Sequence, residues 1–225
     1  MKLERLSERV WYYPFEQERD RPNLGYIKGD NWSLAIDAGH SAAHTEEFYK
    51  ALQGEGLPLP ALTVLTHWHW DHTFAMHAVS GLCIANSRTN QYILDIRGRL
   101  LKEGPEFFLN MHESIRNEYR DNKEVIVTPA DMVFDGELML DLGSCPVRLF
   151  QAESPHTDDS TLIHIIDEKV LFIGDSNGGV FPTGEKNREL CEKLAATISS
   201  IDADICLEGH WTPDTPKGIV EDILS

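Results

Sequence analysis

Cysteine is sparse in this sequence and never spaced as a zinc knuckle or a dithiol redox motif requires: Cys83, Cys145, Cys191 and Cys206 lie far apart, with no C-x-x-C. Three of them sit in apolar runs, so reduced core thiols are expected. Long hydrophobic runs are missing too. No window reaches the roughly 18 consecutive apolar residues that span a bilayer, and the start, Met1-Lys2-Leu3-Glu4-Arg5, is too charged for a signal peptide. The expectation is a soluble, cytoplasmic protein with no membrane partner. Positive charge is the third deficit, with 20 Lys and Arg against 37 Asp and Glu and a net charge of −17. A field of that sign repels phosphate backbones, so nucleic acid is not an expected partner. Repeats and low-complexity tracts are absent, and oligomeric state leaves no mark on the sequence.

What is present is a 225-residue chain with 41 % apolar residues, read as one domain over 1–225 with a good core. Residues 8–14 and 24–37 alternate as strands do, and the polar, Pro-containing stretch 16–23 between them reads as a surface loop. Ser41 to Gln53 carries a helical stripe through Ala43, Phe48 and Leu52. A buried strand from Ala61 to Leu65, a short helix from Phe74 to Val79 and a strand at 82–85 follow. This alternation predicts an α/β fold, in which ligand sites gather at the carboxyl ends of strands. Residues 87–122 break the rhythm. Charged, and with Phe107, Phe108, Leu109, Met111 and Ile115 at helical intervals, they read as a helical insertion, either a lid or wall of the site or a helix packed on the body. Strands are expected again at 125–127, 132–134, 138–140 and 147–150, with Asp135-Gly136 as a hairpin signal, and at 161–166, 170–173 and 205–207. Helices are expected over about 187–199 and 215–224.

The densest chemistry lies in Thr66-His67-Trp68-His69-Trp70-Asp71-His72, three imidazoles and a carboxylate directly after a buried strand. Such groups bind a borderline metal such as Zn²⁺. Residues two apart on a helix face away from each other, so His67 and His69 are expected on a loop leaving the strand end. Three more candidates stand just past later strands: His156, Asp175 and His210. Five histidines and two aspartates suffice for two metal ions, each with an open position for water or substrate.

As an ordered set, H-x-H-x-D-H after a strand, a His before a Thr, a Gly-Asp after an apolar strand and a late Gly-His, the chain resembles the metallo-β-lactamase superfamily over nearly its whole length. The resemblance implies an αβ/βα four-layer sandwich with a dinuclear site at its edge. His67, His69 and His156 would hold one metal, Asp71, His72 and His210 the other, and Asp175 would bridge them. Asp37, in Asp37-Ala38-Gly39, would orient the ligand loop without binding metal. His69 stands where the flavodiiron branch has Glu, and Asp175 where the lactamases proper would carry Cys, which points to the glyoxalase II, lactonase and phosphodiesterase branches. One local departure is Pro155-His156-Thr157-Asp158-Asp159-Ser160, where the family often has Gly-His-Thr-x-Gly-Ser.

The implied cofactor is two Zn²⁺, with Fe or Mn as alternatives. A water shared by two such ions would have its pKa lowered from 15.7 toward about 7. The hydroxide so formed would attack a carbonyl carbon, with Asp71 as the catalytic residue that orients it and carries a proton, so no Ser or Cys nucleophile is needed. The expected activity is hydrolysis of a small ester, thioester, lactone or lactam. The alternatives are a mononuclear iron persulfide dioxygenase-like oxidoreductase and, less favoured, a phosphodiesterase or nuclease. His40, His44, His77, His112 and His164 are expected to be structural, with His112 on the surface, and Asp158 and Asp159 to cap a turn. Trp68, Trp70 and Trp211 adjoin ligands and either line a substrate pocket or pack the metal loop.

Overall fold

Successive side chains of a strand point to opposite faces, and here each sheet has both faces covered. The computed structural model describes residues 1–120 and 124–225. The first half runs β1 (Glu4–Arg5), β2 (Val10–Tyr13), β3 (Leu24–Lys28), β4 (Ser33–Ile36), α1 (Ala42–Gly54), β5 (Leu62–Val64), α2 (Trp70–Thr73), β6 (Leu82–Asn86), α3 (Ser87–Glu103), α4 (Glu106–Leu109), α5 (Glu113–Glu118) and β7 (Met132–Phe134). The second runs β8 (Glu137–Asp141), β9 (Pro146–Gln151), β10 (Thr161–Ile165), β11 (Val170–Gly174), α6 (Arg188–Ser199), β12 (Ile205–Glu208) and α7 (Pro216–Leu224). Strands β1 to β7 form one sheet in sequence order, and β12-β11-β10-β9-β8 form the other. Pairing is antiparallel up to β4 and parallel from β4 to β7; in the second sheet only β11 and β12 run parallel.

The inner faces of the two sheets share one core, in which Ile27, Leu34, Ile36 and Val64 of the first meet Val147, Leu149, Ile163 and Phe172 of the second. One residue along, Leu24, Tyr26 and Ala35 turn outward onto Phe48 and Leu52 of α1. Leu162, Leu171 and Ile173 turn outward onto Leu194, Ile198 and Ile223 of α6 and α7. Helices thus cover the outer face of each sheet, as the four-layer expectation requires. The helices start where the sequence offers caps: Ser41, Asn187 and Thr215 accept hydrogen bonds from the backbone three residues on. The four cysteines are free and buried. Among the described residues, no helix is long and apolar enough to cross a membrane.

Several expectations need correction. The single strand expected at 24–37 is a hairpin, β3 turning at Gly29-Asp30-Asn31-Trp32 into antiparallel β4. Residues 125–127 extend without joining a sheet, since Val125 and Val127 pack beside the insertion helices instead of on a strand. The helix expected at 74–79 begins earlier, at Trp70, and only a 3₁₀ turn, Met76–Ala78, follows it. Asp135-Gly136 does not close a hairpin; it carries the chain from one sheet to the other, because β7 pairs with β6 and β8 with β9. The insertion is helical through α3, α4 and α5, and its expected last residues, 121 and 122, lie outside the described residues. Phe108 and Ile115 bury it against Trp70 and Phe74. The stretch 16–23 is not simply surface: Arg21 is 1 % exposed and donates from Nε and Nη2 to the two oxygens of buried Glu118 on α5, at 2.9 Å each.

Candidate metal centre

The parallel strands place their carboxyl ends side by side, and the side chains just beyond them converge. Asp37 follows β4 with a φ of +63°. Its carboxylate accepts hydrogen bonds from the Thr66 backbone N–H at 2.7 Å, the Thr66 hydroxyl at 2.9 Å and His72 Nδ1 at 2.7 Å. Since the Thr66 hydroxyl gives its proton to Asp37, it accepts from His67 Nδ1, 3.1 Å away. One carboxylate therefore fixes two imidazoles with Nδ1 protonated and Nε2 turned inward. His67 Nε2 and His72 Nε2 are both buried without a hydrogen-bond partner. His156, in the loop after β9, donates from Nδ1 to the Gly179 carbonyl at 2.8 Å, which likewise frees its Nε2. Asp175 follows β11 and His210 follows β12.

Two groups of donors result: His67, His69 and His156, and Asp71, His72, Asp175 and His210, the atoms of each within 4.8 Å of one another. Zinc bonds of 2.0 to 2.1 Å in a tetrahedron hold neighbouring donors about 3.3 Å apart. The observed separations bracket that value. His69 Nδ1 is 3.0 Å from His156 Nε2, His72 Nε2 is 3.2 Å from Asp71 Oδ2, and His210 Nε2 is 3.0 Å from the same oxygen. Asp175 Oδ2 is 3.5 Å from both His72 Nε2 and His210 Nε2 and 3.9 Å from His156 Nε2, so it reaches toward both groups. Donor chemistry, spacing and the two buried nitrogens without hydrogen bonds all fit a pair of metal ions.

The electrostatics divide the same way. Burial, reinforced by neighbouring imidazoles, holds His67 far below its usual range and His69 down to about 3, so these rings keep lone pairs available. In the second group burial would lower His210, but Asp175 and Asp71 outweigh it and raise the ring to about 9; His72 is raised by Asp71, Asp37 and Asp175 against the same burial. Burial would raise Asp71 and Asp175, yet the facing His72 and His210 keep both carboxyls below their normal range. The second group thus pairs two buried carboxylates with two imidazoles, and a divalent cation there would take the place of the imidazole protons.

A cavity of about 190 Å³ opens onto this cluster. Beyond ligand candidates it is lined by Asp20, Trp70, His112 and Phe181. Asp20 and Phe181 escaped the sequence reading, for they lie in irregular segments without periodicity; His112 is exposed, as expected, and also lines the cavity. The tryptophans divide: Trp70 lines the cavity and stacks on His69 at 5.3 Å, Trp68 packs between His69 and Tyr92, and Trp211 is 65 % exposed and outside the cavity. His77 and His164 bind backbone carbonyls, as structural residues do. Asp158 does not cap a turn but accepts from Arg88 and Tyr92, fastening α3 beside the loop of His156. Residues 174–178 spell Gly-Asp-Ser-Asn-Gly, a G-x-S-x-G string. Ser176 is nonetheless buried, with its hydroxyl donating to the Ile173 carbonyl at 2.5 Å, and offers no nucleophile.

No curated protein matches the chain in sequence. Among solved structures it is similar to a metallo-beta-lactamase from Pontibacter korlensis, with TM-score 0.68 and 15 % identity over 99 % of this chain and 96 % of that one. It is similar to the DIM-1 metallo-beta-lactamase, with TM-score 0.69 and 18 % identity over the same shares. A double mutant of the sec-alkyl sulfatase PisA1 gives TM-score 0.71 at 13 % identity, with 99 % of this chain matching 40 % of that one. Lactamase and sulfatase alike share the fold, so likeness of fold does not choose a substrate. The metallo-beta-lactamase superfamily model matches residues 19–190, a span that takes in six of the seven converging donors and Asp37, and the chain belongs to the metallo-β-lactamase superfamily of metal-dependent hydrolases.

Proposed function

We propose that this protein hydrolyses a small ester, thioester, lactone or lactam at a dinuclear zinc centre, with His67, His69 and His156 holding one ion, Asp71, His72 and His210 the other, and Asp175 between them. The observation that carries the reading is the convergence of these seven side chains, with His67 Nε2 and His72 Nε2 buried and without hydrogen bonds. When bound, the ions lower the pKa of a coordinated water toward about 7 and polarise a substrate carbonyl. Asp71 both contacts the second-group imidazoles and faces the cavity, so its carboxylate is placed to orient that water and accept its proton. Asp37 keeps His67 and His72 in the tautomer that offers Nε2. Trp70 and Phe181, 4.9 Å apart edge to face, give the cavity an apolar wall. The cavity, at about 190 Å³ larger than the roughly 150 Å³ that holds a benzene, has room for a compact acyl group.

A single-iron dioxygenase would leave the four donors of the second group without a role, and a phosphodiesterase is poorly served by a cavity with no Lys or Arg in its described lining. Metal analysis of protein purified without added metal tests the reading. About two zinc per chain and turnover of simple esters are expected; one iron per chain with oxygen consumption on a persulfide substrate would overturn it. Asp175→Ala should lower metal content and turnover together, and retention of both metals would show that Asp175 is not the bridge.

A further inference from the structure

Asp20 is held in place by an arrangement that the metal ligands do not explain. Its backbone is left-handed, with φ +52°, as the C-cap of the 3₁₀ turn Gln17–Arg19, a conformation that Asp adopts more readily than most residues, and its surroundings fix it further. Those surroundings are specific. Buried His40 directs Nδ1 at the carbonyls of Arg19 and Asp20, 2.9 and 3.0 Å away. The next residue, Arg21, is clamped to Glu118, and Trp70 Nε1 donates to Asp20 Oδ2 at 3.1 Å. The carboxylate so fixed lines the metal cavity without belonging to either donor group. With metal bound, Asp71 and Asp175 are matched by cations; Asp20 belongs to neither ion, and although the imidazoles of His210 and His40 face it, no Lys or Arg among the described lining residues does.

We propose that Asp20 is a specificity-determining residue that contacts the substrate and favours small acyl compounds bearing an ammonium or another N–H donor over neutral isosteres. This rests on the cleft being the hydrolytic site proposed above. A cationic group would give its protons to the free Asp20 oxygen while the apolar body of the molecule lies against Trp70 and Phe181. Charge-assisted hydrogen bonds of this kind are stronger than neutral ones, and one of them corresponds to about a tenfold preference.

The test reads binding without turnover. Titrating the zinc-loaded full chain with 2-phenylethylamine, a cation at neutral pH, and with 2-phenylethanol, followed by tryptophan fluorescence or calorimetry, should show the amine binding about tenfold tighter. Asp20→Asn keeps an oxygen for Trp70 Nε1 and removes only the charge, so the two affinities should come within about twofold. Raising the salt from 0.05 to 0.5 M should narrow the wild-type ratio by screening. Equal affinities in the wild type, a preference that survives in Asp20→Asn, or a salt-independent ratio would each overturn the role. A flat ratio does so whatever esters the enzyme cleaves, and absence of ester turnover beside a retained ratio would overturn the hydrolase reading instead.

Discussion

Gly209 stands between β12 and His210, and adding one carbon there should separate the two halves of the metal centre. A Cβ on Gly209 would lie 2.0 Å from Asp175 Oδ1 and 3.0 Å from His72 Cε1. A Cβ essentially never comes within 3.0 Å of another heavy atom, so the Asp175 carboxylate must retreat by at least 1.0 Å, the gap between 2.0 and 3.0 Å. Asp175 can swing, but swinging carries Oδ2 away from its 3.5 Å approach to His72 and His210. Metal–ligand distances tolerate only about 0.2 Å. Mutating a group that merely supports a ligand costs about 10- to 100-fold in metal affinity, and displacing the ligand should reach at least the upper figure, about 2.7 kcal/mol. Zinc content of Gly209→Ala, measured after equilibration with a competing chelator, should fall from about two ions per chain to about one, the loss confined to the second group. Unchanged content and affinity would refute the placement of Asp175 beside that ion.

Other outcomes follow from the same contacts. Asp37→Asn removes the charge that fixes His72 Nδ1–H and Thr66, and should weaken zinc binding about 10- to 100-fold in chelator competition without changing the far-UV circular dichroism. Arg21→Ala strips the guanidinium from buried Glu118 and should cost about 3 kcal/mol in urea unfolding, the low end for broken buried pairs, because the Ser41 hydroxyl also donates to Glu118. Replacing both partners, Arg21→Met with Glu118→Leu, should recover most of that loss. Gly98 lies inside α3 with nothing within 4 Å of an added Cβ, and Gly98→Ala should raise stability by about 0.5 to 1 kcal/mol with no effect on metal.

The candidate centre was largely legible because its donors sit in loops that leave the carboxyl ends of apolar strands, where ligand sites gather in α/β folds. Asp71 and His72 sit on a helical turn that starts at Trp70, sooner than the apolar residues at 74–79 indicate, because the turn is set by the ligand loop packing on Phe74 and Phe108 and not by an amphipathic stripe. The hairpin inside 24–37 was marked by the turn signal Lys28-Gly29-Asp30-Asn31, which the strand-like alternation on either side masked. Asp20 and Arg21 lie in a polar stretch that has every mark of a solvated loop. Their burial comes from α5, some 97 residues later, and no local pattern reports a partner that distant.

The donors are also divided between the sheets. Four leave the first sheet within six positions, whereas His156, Asp175 and His210 come from the second, with His69 meeting His156 across 87 positions and Asp71 meeting His210 across 139. During synthesis, then, a growing chain that has completed only its first sheet carries most of the imidazoles but no complete coordination sphere. The last of the seven donors, His210, follows β12, so the cluster closes only once the second sheet has packed on the first.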